Sequence, residues 1–288
     1  MIIKKLWHLG EQATQRIPKR FTVIVPFLTD TNRETYTASS IVWYYTQLHR
    51  LQPAEQTILD LLRDRLPTMK MLDIGIGGGR TTQHFAPLAG EYTGIDYSAT
   101  MVAACKKRFA KSLQPLALEV GDAREMSQFA DNSFDFILFS FNGIDYASVS
   151  DRLQILAEIA RVGKPGSYFF FSSHNLQAMI SEFDWKSKVS FNPFKTYVNL
   201  VMLALLNLYN SKITRDQLET SNHLIIKDES HNFRLQTYYI RPKKQIEQLS
   251  LSFKDIEIYS WKSGLKVVDM QDLLTNSDKW LYYLCLIK

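Results

Sequence analysis

Three glycines alternate with other residues directly after a short apolar stretch of the sequence. The stretch ends in an acid, Asp73, and Gly75, Gly77 and Gly79 follow at every second position. A glycine-rich turn between a parallel strand and a helix lets a ligand approach the backbone, because there is no Cβ to hold it away. The pattern therefore predicts a nucleotide-type binding site at the end of a strand.

The spacing of these glycines indicates which nucleotide fits. The dinucleotide fingerprint Gly-x-Gly-x-x-Gly would need a glycine at position 80 or 82, where this chain has Arg80 and Thr82. The acid-x-Gly-x-Gly-x-Gly pattern resembles motif I of the class I S-adenosylmethionine-dependent methyltransferases. The resemblance implies that the turn wraps the methionine end of the cofactor and that Asp73 helps to hold its amino group. A tight turn without a ligand remains the alternative.

Two further acids follow the next two apolar stretches. Asp96 ends residues 91–96, where a carboxylate can accept hydrogen bonds from ribose hydroxyls. Asp96 and Tyr97 lie in a stretch that resembles the second family motif, which makes both candidate cofactor contacts. By the same resemblance, Asp122 would receive the adenine amino group and the amide of Ala123 would meet the ring. The alternative for Asp122 is ordinary turn or helix-cap chemistry.

A nearly continuous apolar stretch at residues 134–139 predicts a strand that is covered on both faces. The loop after it lies at the carboxyl edge of the sheet, where ligands of doubly wound folds bind. We expect Ser140 and Phe141 to contact the cofactor. Asn142 and Tyr146 are candidates for orienting the substrate.

A histidine follows the fifth predicted strand. His174 is directed to the same edge of the sheet as Asn142 and Asp145. Methyl transfer requires alignment of the reactants, and a general base only if the acceptor arrives protonated. His174 is the candidate for that base, with Asn142 beside it as the second candidate catalytic residue, and a structural histidine is the alternative. The three residues do not form a recognisable ligand set, so no metal is expected.

The order of the predicted elements indicates an α/β fold: a doubly wound, mostly parallel sheet of seven strands, as in the Rossmann-like methyltransferases. The resemblance covers about residues 54–174 and 238–288, and the last two strands are expected to form an antiparallel edge hairpin with the seventh strand beside the fifth. We expect four segments, which are an N-terminal helical segment (1–53), a cofactor-binding core (54–174), a cap insertion between the fifth and sixth strands (175–237) and the C-terminal part of the core (238–288).

The N-terminal segment and the cap are the predicted sources of substrate contacts. In the resembled family, N-terminal segments often close the cavity with a tyrosine, for which Tyr36 and Tyr44 are the candidates, although packing in the core is the alternative. The cap is rich in aromatic and aliphatic residues, among them Trp185. It is expected to bind an apolar substrate or to form a homodimer contact, and packing onto the sheet is the alternative.

Composition limits the class of protein further. The 288 residues carry a formal charge of +5, but the basic residues are scattered and no nucleic-acid-binding motif accompanies them. Cys105 and Cys285 are far apart in sequence, which favours a reducing compartment without disulfides. The longest apolar stretch, residues 198–209, is too short to cross a bilayer, and no signal sequence is evident. We therefore expect a cytoplasmic protein.

These observations predict an S-adenosylmethionine-dependent methyltransferase that releases S-adenosylhomocysteine. The chain resembles small-molecule enzymes, including those of natural-product biosynthesis, which methylate nitrogen or oxygen atoms. The alternatives are a methyltransferase for a peptide or other macromolecule, and a cofactor-binding protein without turnover. A nicotinamide oxidoreductase is disfavoured by the glycine spacing.

Overall fold

The computed structural model describes residues 39–111 and 116–288. Its helices are α1 (Ser39–Thr46), α2 (Pro53–Leu62), α3 (Thr82–Phe85), α4 (Ala99–Phe109), α5 (Val149–Val162), α6 (Leu176–Glu182), α7 (Pro193–Tyr209), α8 (Arg215–Thr220), α9 (Pro242–Leu249) and α10 (Met270–Thr275). Its strands are β1 (Lys70–Ile74), β2 (Glu91–Asp96), β3 (Ala117–Val120), β4 (Phe134–Phe139), β5 (Gly163–Asn175), β6 (His223–Ile226), β7 (Thr237–Ile240), β8 (Phe253–Ser260) and β9 (Trp280–Ile287).

Five parallel strands form the centre of the sheet in the order β3-β2-β1-β4-β5. Strand β9 runs antiparallel beside β5, with Tyr168 opposite Leu286 and His174 opposite Trp280, and β8 pairs with its outer edge. This is the expected edge hairpin with the last strand beside the fifth. The predicted fold class, a doubly wound and mostly parallel sheet, is confirmed.

The expected number of seven strands is wrong, because the sheet of the described residues has nine. The two additional strands form an antiparallel hairpin of β6 and β7, and β7 pairs with β5 only at His174 and Asn175. All four residues of β7 are buried, which explains why this short aromatic segment joins the sheet. The hairpin crosses the expected boundary between residues 237 and 238.

Both faces of the central strands are covered by helices, as apolar parallel strands require. Helices α5 and α9 pack on one face through Ile155, Leu156, Ile159 and Leu249. Helices α2 and α4 pack on the other through Ile58, Leu62, Val102 and Phe109. The sheet is thereby fixed between two layers, and its carboxyl edge is left for the loops that follow each strand.

Two elements next to the site have unusual lengths. Helix α3 is short and covers only Thr82–Phe85. Strand β5 is long and begins at Gly163, which pairs with Phe134 before the register shifts.

The insertion after β5 has a small core of its own. Helices α6, α7 and α8 and the β6-β7 hairpin share a cluster of buried side chains, namely Leu176, Met179, Leu206, Leu218, Ile226, Phe233 and Tyr239. Within the described ranges, no helix combines the length and the apolar composition that crossing a membrane requires.

Candidate cofactor and catalytic site

The glycine turn joins β1 to α3 in a conformation that other residues avoid. Gly75, Gly77 and Gly79 have φ of +70°, +52° and +84°, in the left-handed region where a Cβ is strained. At Gly79 a Cβ would also lie 2.4 Å from the Phe109 ring. The alternation of glycines therefore follows from the backbone path of the turn and from its close packing on α4.

Asp96, at the end of β2, connects the turn to the next strand. Its Oδ2 accepts a hydrogen bond from the backbone N–H of Gly77 at 2.9 Å, and its Oδ1 accepts one from Ser98 at 2.8 Å. The side chain is buried, and burial raises the pKa of its carboxyl. Each carboxylate oxygen retains a lone pair, which suits a ribose hydroxyl. Tyr97, the next residue, is half-buried.

Asp73, at the end of β1, is held by hydroxyl groups. Thr81 Oγ1 and the Tyr92 hydroxyl both donate to its Oδ2, at 2.6 Å and 2.7 Å. The residue is only 1% exposed, and burial raises the pKa of its carboxyl to about 7. Asp73 also lines the cavity above the glycine turn.

Helix α1 forms the roof over this turn. A Cβ at Gly78 would lie 2.5 Å from the backbone of Tyr45 and Thr46, so the roof and the turn are in close contact. The cavity between them is lined by Tyr45, Asp73, Gly75, Ile76, Gly77, Gly78, Arg80, Thr81, Ser140 and Phe141. It encloses about 330 Å³ of empty space, including the part open to solvent.

The tyrosine that lines this cavity is Tyr45 and not Tyr44. The ring of Tyr44 packs edge-on against that of Tyr45, with 5.7 Å between centroids. Burial raises the pKa of the Tyr44 hydroxyl. Tyr36, the other candidate in the N-terminal segment, lies outside the described residues.

A buried ion pair lies next to the turn. Arg80 donates from both terminal nitrogens to the carboxylate of Glu55 on α2, and both side chains are nearly inaccessible to solvent. Burial raises the pKa of Glu55, but the charge and the hydrogen bonds of Arg80, with a hydrogen bond from Ser140, outweigh it and leave that pKa below its ordinary value. The Tyr282 hydroxyl donates to the same carboxylate at 2.9 Å.

The loop after β4 turns sharply at two residues. Phe141 and Asn142 both have φ of +60°, which is uncommon for residues other than glycine. The Asn142 backbone N–H donates to Ser172 Oγ at 2.8 Å, and the guanidinium of Arg80 lies 4.7 Å from the centre of the Phe141 ring. Backbone strain of this kind is common at functional sites and requires support from the surroundings.

His174, at the end of β5, is held by the carboxylate of Asp145. Its Nδ1 lies 2.8 Å from Asp145 Oδ2, and its backbone N–H donates to the same oxygen at 2.6 Å. Both side chains are buried. Because a carboxylate only accepts, Nδ1 is the donor to Asp145, and Nε2 is the ring nitrogen on the other side of the imidazole.

A second buried arginine holds Asp145 in place. Arg152, on α5, forms an ion pair with Asp145 Oδ1, and neither side chain is exposed. Its guanidinium also donates to Ser173 Oγ at 3.0 Å and to Gln245 on α9, and it lies 4.8 Å from the centre of the Tyr238 ring. Four elements therefore fix the carboxylate that orients the histidine.

The other side of the imidazole faces polar and aromatic groups. Asn142 Nδ2 lies 3.4 Å from His174 Nε2, while Asn142 Oδ1 is buried and has no hydrogen-bond partner among the described residues. The rings of Tyr239, Trp280 and Tyr146 lie 4.8, 6.2 and 6.4 Å from the imidazole centre. The arrangement offers a base and an unused acceptor within an aromatic enclosure.

The remaining sequence candidates lie farther from this arrangement. Asp122 is bound by Arg124, whose Nε lies 3.0 Å from Oδ1, and both side chains are largely exposed. Ala123 packs against the core. Ser140 is engaged with Glu55 and borders the cavity. Trp185 is 59% exposed on the cap, so the structure does not bring it to the histidine.

Sequence reasoning did not single out Glu55, Arg80, Tyr45, Arg152 or Trp280 as site residues. Arg80 carried a usable signal, since it follows the last glycine of the turn directly. The others lie on different elements, and only the fold brings them together. Trp280 Nε1 is buried without a hydrogen-bond partner in the described part of the chain, which makes it a second unused polar atom near His174.

Residues 72–171 match a family model that is described as a methyltransferase domain. They include the glycine turn, the loop after β4 and most of β5. This matched segment contains Asp73, Asp96 and Asn142, and His174 follows three residues after its end.

Two curated relatives match part of the chain. A demethylmenaquinone methyltransferase of Renibacterium salmoninarum is 30% identical over 146 residues, which are 50% of this chain and 53% of the relative. A demethylmenaquinone methyltransferase of Staphylococcus aureus is 40% identical over 101 residues, which are 34% of this chain and 40% of the relative. The chain thus spans about half, or less, of the length of these relatives.

A solved structure shares the fold over most of its length. The S-adenosylmethionine-dependent methyltransferase from Mesorhizobium loti superposes with a TM-score of 0.54 at 15% identity, covering 81% of this chain and 97% of that one. At this identity the likeness concerns the fold. The family model in turn shows that residues 72–171 are similar to a methyltransferase domain.

Proposed function

We propose that the protein transfers the methyl group of S-adenosylmethionine to a nitrogen or oxygen atom of a small, partly apolar molecule. The observation that carries the proposal is the imidazole of His174, which is fixed by Asp145 through Nδ1 and has only a long contact of 3.4 Å, to Asn142 Nδ2, at Nε2. It lies at the same edge of the sheet as the glycine turn. Phe141 lines the cavity of that turn, and its ring lies 6.4 Å from the ring of Trp280, which in turn flanks the imidazole.

The residues of the turn fit the cofactor. Asp96 keeps two lone pairs for the ribose, the glycines leave the backbone uncovered by side chains, and Asp73 borders the cavity where the amino group would bind. When bound, S-adenosylmethionine supplies an activated methyl group. Tyr45 and Phe141 would then exclude water from two sides of the cavity.

His174 is proposed as the general base. An amine or hydroxyl acceptor must lose a proton, and an imidazole whose second nitrogen is held by a carboxylate is well oriented to take it. Arg152 is a positioning residue, because it acts through Asp145. Asn142 would orient the acceptor through its unused Oδ1, which can accept a hydrogen bond from an N–H or O–H group.

The enclosure around the imidazole favours a planar or otherwise apolar acceptor. Tyr146, Tyr239 and Trp280 present ring surface, and Trp280 Nε1 can donate one hydrogen bond. The second candidate acceptor is a reduced quinone, which the names of the curated relatives favour. In that case removal of a ring hydroxyl proton by His174 would activate the oxygen or the adjacent ring carbon.

Calorimetric titration with S-adenosylhomocysteine, compared with NADH, tests the cofactor. We expect micromolar binding of the former only, and Asp96→Ala should weaken it at least tenfold. A panel of amines, phenols and reduced quinones with product mass detection tests the acceptor. Binding of NADH alone, or unchanged affinity in the variant, would contradict the proposed site.

A further inference from the structure

Helix α7 carries an apolar stripe that faces solvent. Phe194, Tyr197, Leu200, Ala204 and Leu208 follow each other at spacings of three and four residues, which places them on one side of a helix. The exposed fractions of the four large side chains are 57%, 65%, 40% and 69%. Exposed apolar groups that are contiguous, and not scattered singly, indicate a binding surface.

The packing of the cap does not account for this stripe. Val198 and Leu206 are the buried residues of α7, and the cap core contacts the side of the helix on which they lie. At 100° per residue, their side of α7 is roughly opposite to that of Leu200 and Ala204. The helix is therefore apolar on two sides, and residues 39–111 and 116–288 cover only one of them.

The turn before α7 also carries exposed apolar side chains. Trp185, Val189 and Phe191 are 59%, 55% and 109% exposed. Their backbone is fixed beside the helix, since Asn199 Nδ2 donates to the Lys188 carbonyl at 3.0 Å. We refer to these three residues and the five residues of the stripe as the outer cap face.

Most of the charges along the outer cap face are positive, and Asp184, directly before Trp185, is an exception. Residues 185–212 contain four lysines and no aspartate or glutamate. Lys188 pairs with Glu182 at 2.6 Å, whereas Lys186 and Lys195 are exposed and form no ion pair with any described residue. An apolar surface whose neighbouring charges are mostly positive complements an anionic partner.

We propose that the outer cap face binds the surface of a lipid bilayer that contains anionic lipids, with α7 lying in the plane of the interface. Tryptophan, tyrosine and phenylalanine beside lysines are the composition of helices that bind there. The 17 residues of α7 are fewer than the roughly 20 needed to span a bilayer, which agrees with a position in the interface. This surface is independent of the proposed methyl transfer.

Flotation of the full chain with vesicles tests the proposal. We expect the protein to float with vesicles of phosphatidylcholine and about one-third phosphatidylglycerol, and binding should fall with added salt. The triple variant Phe194→Ser, Tyr197→Ser, Leu208→Gln should bind at least tenfold more weakly. The matched control Leu251→Gln, Leu265→Gln, Val268→Ser removes equally exposed apolar groups elsewhere and should bind like the wild type.

The charge component is tested separately. Lys186→Glu with Lys195→Glu should reduce binding to the anionic vesicles, while Lys106→Glu with Lys107→Glu on α4 should not. Absence of flotation, equal loss in both triple variants, or a dimer in solution that only the Phe194, Tyr197 and Leu208 changes dissociate would overturn the proposal. Vesicle binding is measured without cofactor, so its failure leaves the calorimetric test of the proposed function intact.

Discussion

Two buried arginine–carboxylate pairs support the site, and they differ in the groups that the carboxylate binds besides its arginine. Glu55 and Arg80 lie beside the glycine turn, and Asp145 and Arg152 lie behind the loop after β4. In both pairs the side chains are almost completely removed from solvent. Removing two charges from water costs several kcal/mol per ion, so good geometry and additional hydrogen bonds must offset this cost in each pair.

The first pair is closed on groups of the protein. The carboxylate of Glu55 receives hydrogen bonds from Arg80, Ser140 and Tyr282, and also from the backbone of Gln52 at 2.7 Å. These described donors occupy the lone pairs of the carboxylate, so it has no hydrogen-bond acceptor site left for a substrate. The pair joins α2 to the turn, to Ser140 after β4 and to β9, and we interpret it as a support for the side of the cavity that Arg80 and Ser140 line.

The second pair is open at one end. Asp145 uses Oδ1 for Arg152 and Ser173, but its Oδ2 holds His174, whose Nε2 faces the aromatic enclosure. The difference shows that the same kind of buried pair can serve two purposes. The Glu55–Arg80 pair has only structural partners and joins secondary-structure elements. The Asp145–Arg152 pair has an imidazole as one partner and orients a base.

Arg80→Met should produce the largest effect on the free energy of unfolding. It leaves the Glu55 carboxylate buried without its counter-charge, which costs about 3–5 kcal/mol. Urea unfolding followed by circular dichroism measures the loss. The double variant Glu55→Gln, Arg80→Met removes both charges and should recover a large part of it. A loss below about 1 kcal/mol in the single variant would show that the pair is not a support.

His174→Gln should lower kcat by about 10²–10³-fold, because a positioned base contributes that much to proton transfer. The free energy of unfolding should change less than in Arg80→Met, since no buried charge loses its partner arginine. His84→Gln, in α3, is the matched control and should retain wild-type kcat. A wild-type kcat in His174→Gln would leave the histidine a structural role only.

Asp73 sharpens the comparison, because its hydrogen-bond donors are hydroxyl groups and not a guanidinium. Its pKa is raised by burial to about 7, from about 4 in the unfolded chain. Between these values the folded protein holds the extra proton, so its stability falls as the pH rises and the loss is complete above about pH 7.

Asp73→Asn should remove this pH dependence, since the amide does not titrate and its oxygen can still accept from Thr81 and Tyr92. The free energy of unfolding of the wild type should fall by about 2 kcal/mol more than that of the variant between pH 5 and pH 8. Thermal unfolding at each pH measures it. A difference that stays constant across this range would show that Asp73 is ionised at the lower pH.

Sequence order was sufficient to predict where the strands end. The central strands are apolar and parallel, so their carboxyl ends must meet at one edge, and this places Asp73, Asp96, Asn142 and His174 there. The structure brings Asn142 and His174 within 3.4 Å of each other. Their catalytic roles stay predictions.

Other parts of the site could not be predicted, because they depend on packing between distant elements. Glu55 and Arg80 are 25 residues apart, and the helix pattern of α2 gives no reason for a buried acid. Tyr45 instead of Tyr44 lines the cavity because neighbouring residues point 100° apart on a helix, so a small rotation decides between them. The β6-β7 hairpin was missed because its strands have only four residues each.

The exposed pair of Asp122 and Arg124 completes the comparison and should show the smallest effect. Their side chains are 40% and 50% exposed, so water screens the interaction, and Arg124→Ala should change the free energy of unfolding by less than about 1 kcal/mol. The change also removes the guanidinium from the Asp122 carboxylate, while the backbone N–H of residue 124 still donates to its Oδ1. If Asp122 receives the adenine amino group, calorimetry should find S-adenosylhomocysteine binding unchanged or up to about threefold tighter in Arg124→Ala, and weaker in Asp122→Ala. A tenfold weaker affinity in Arg124→Ala would instead show that the guanidinium contacts the ligand. An exposed arginine can leave its carboxylate for a ligand in this way, whereas the arginines of the two buried pairs cannot.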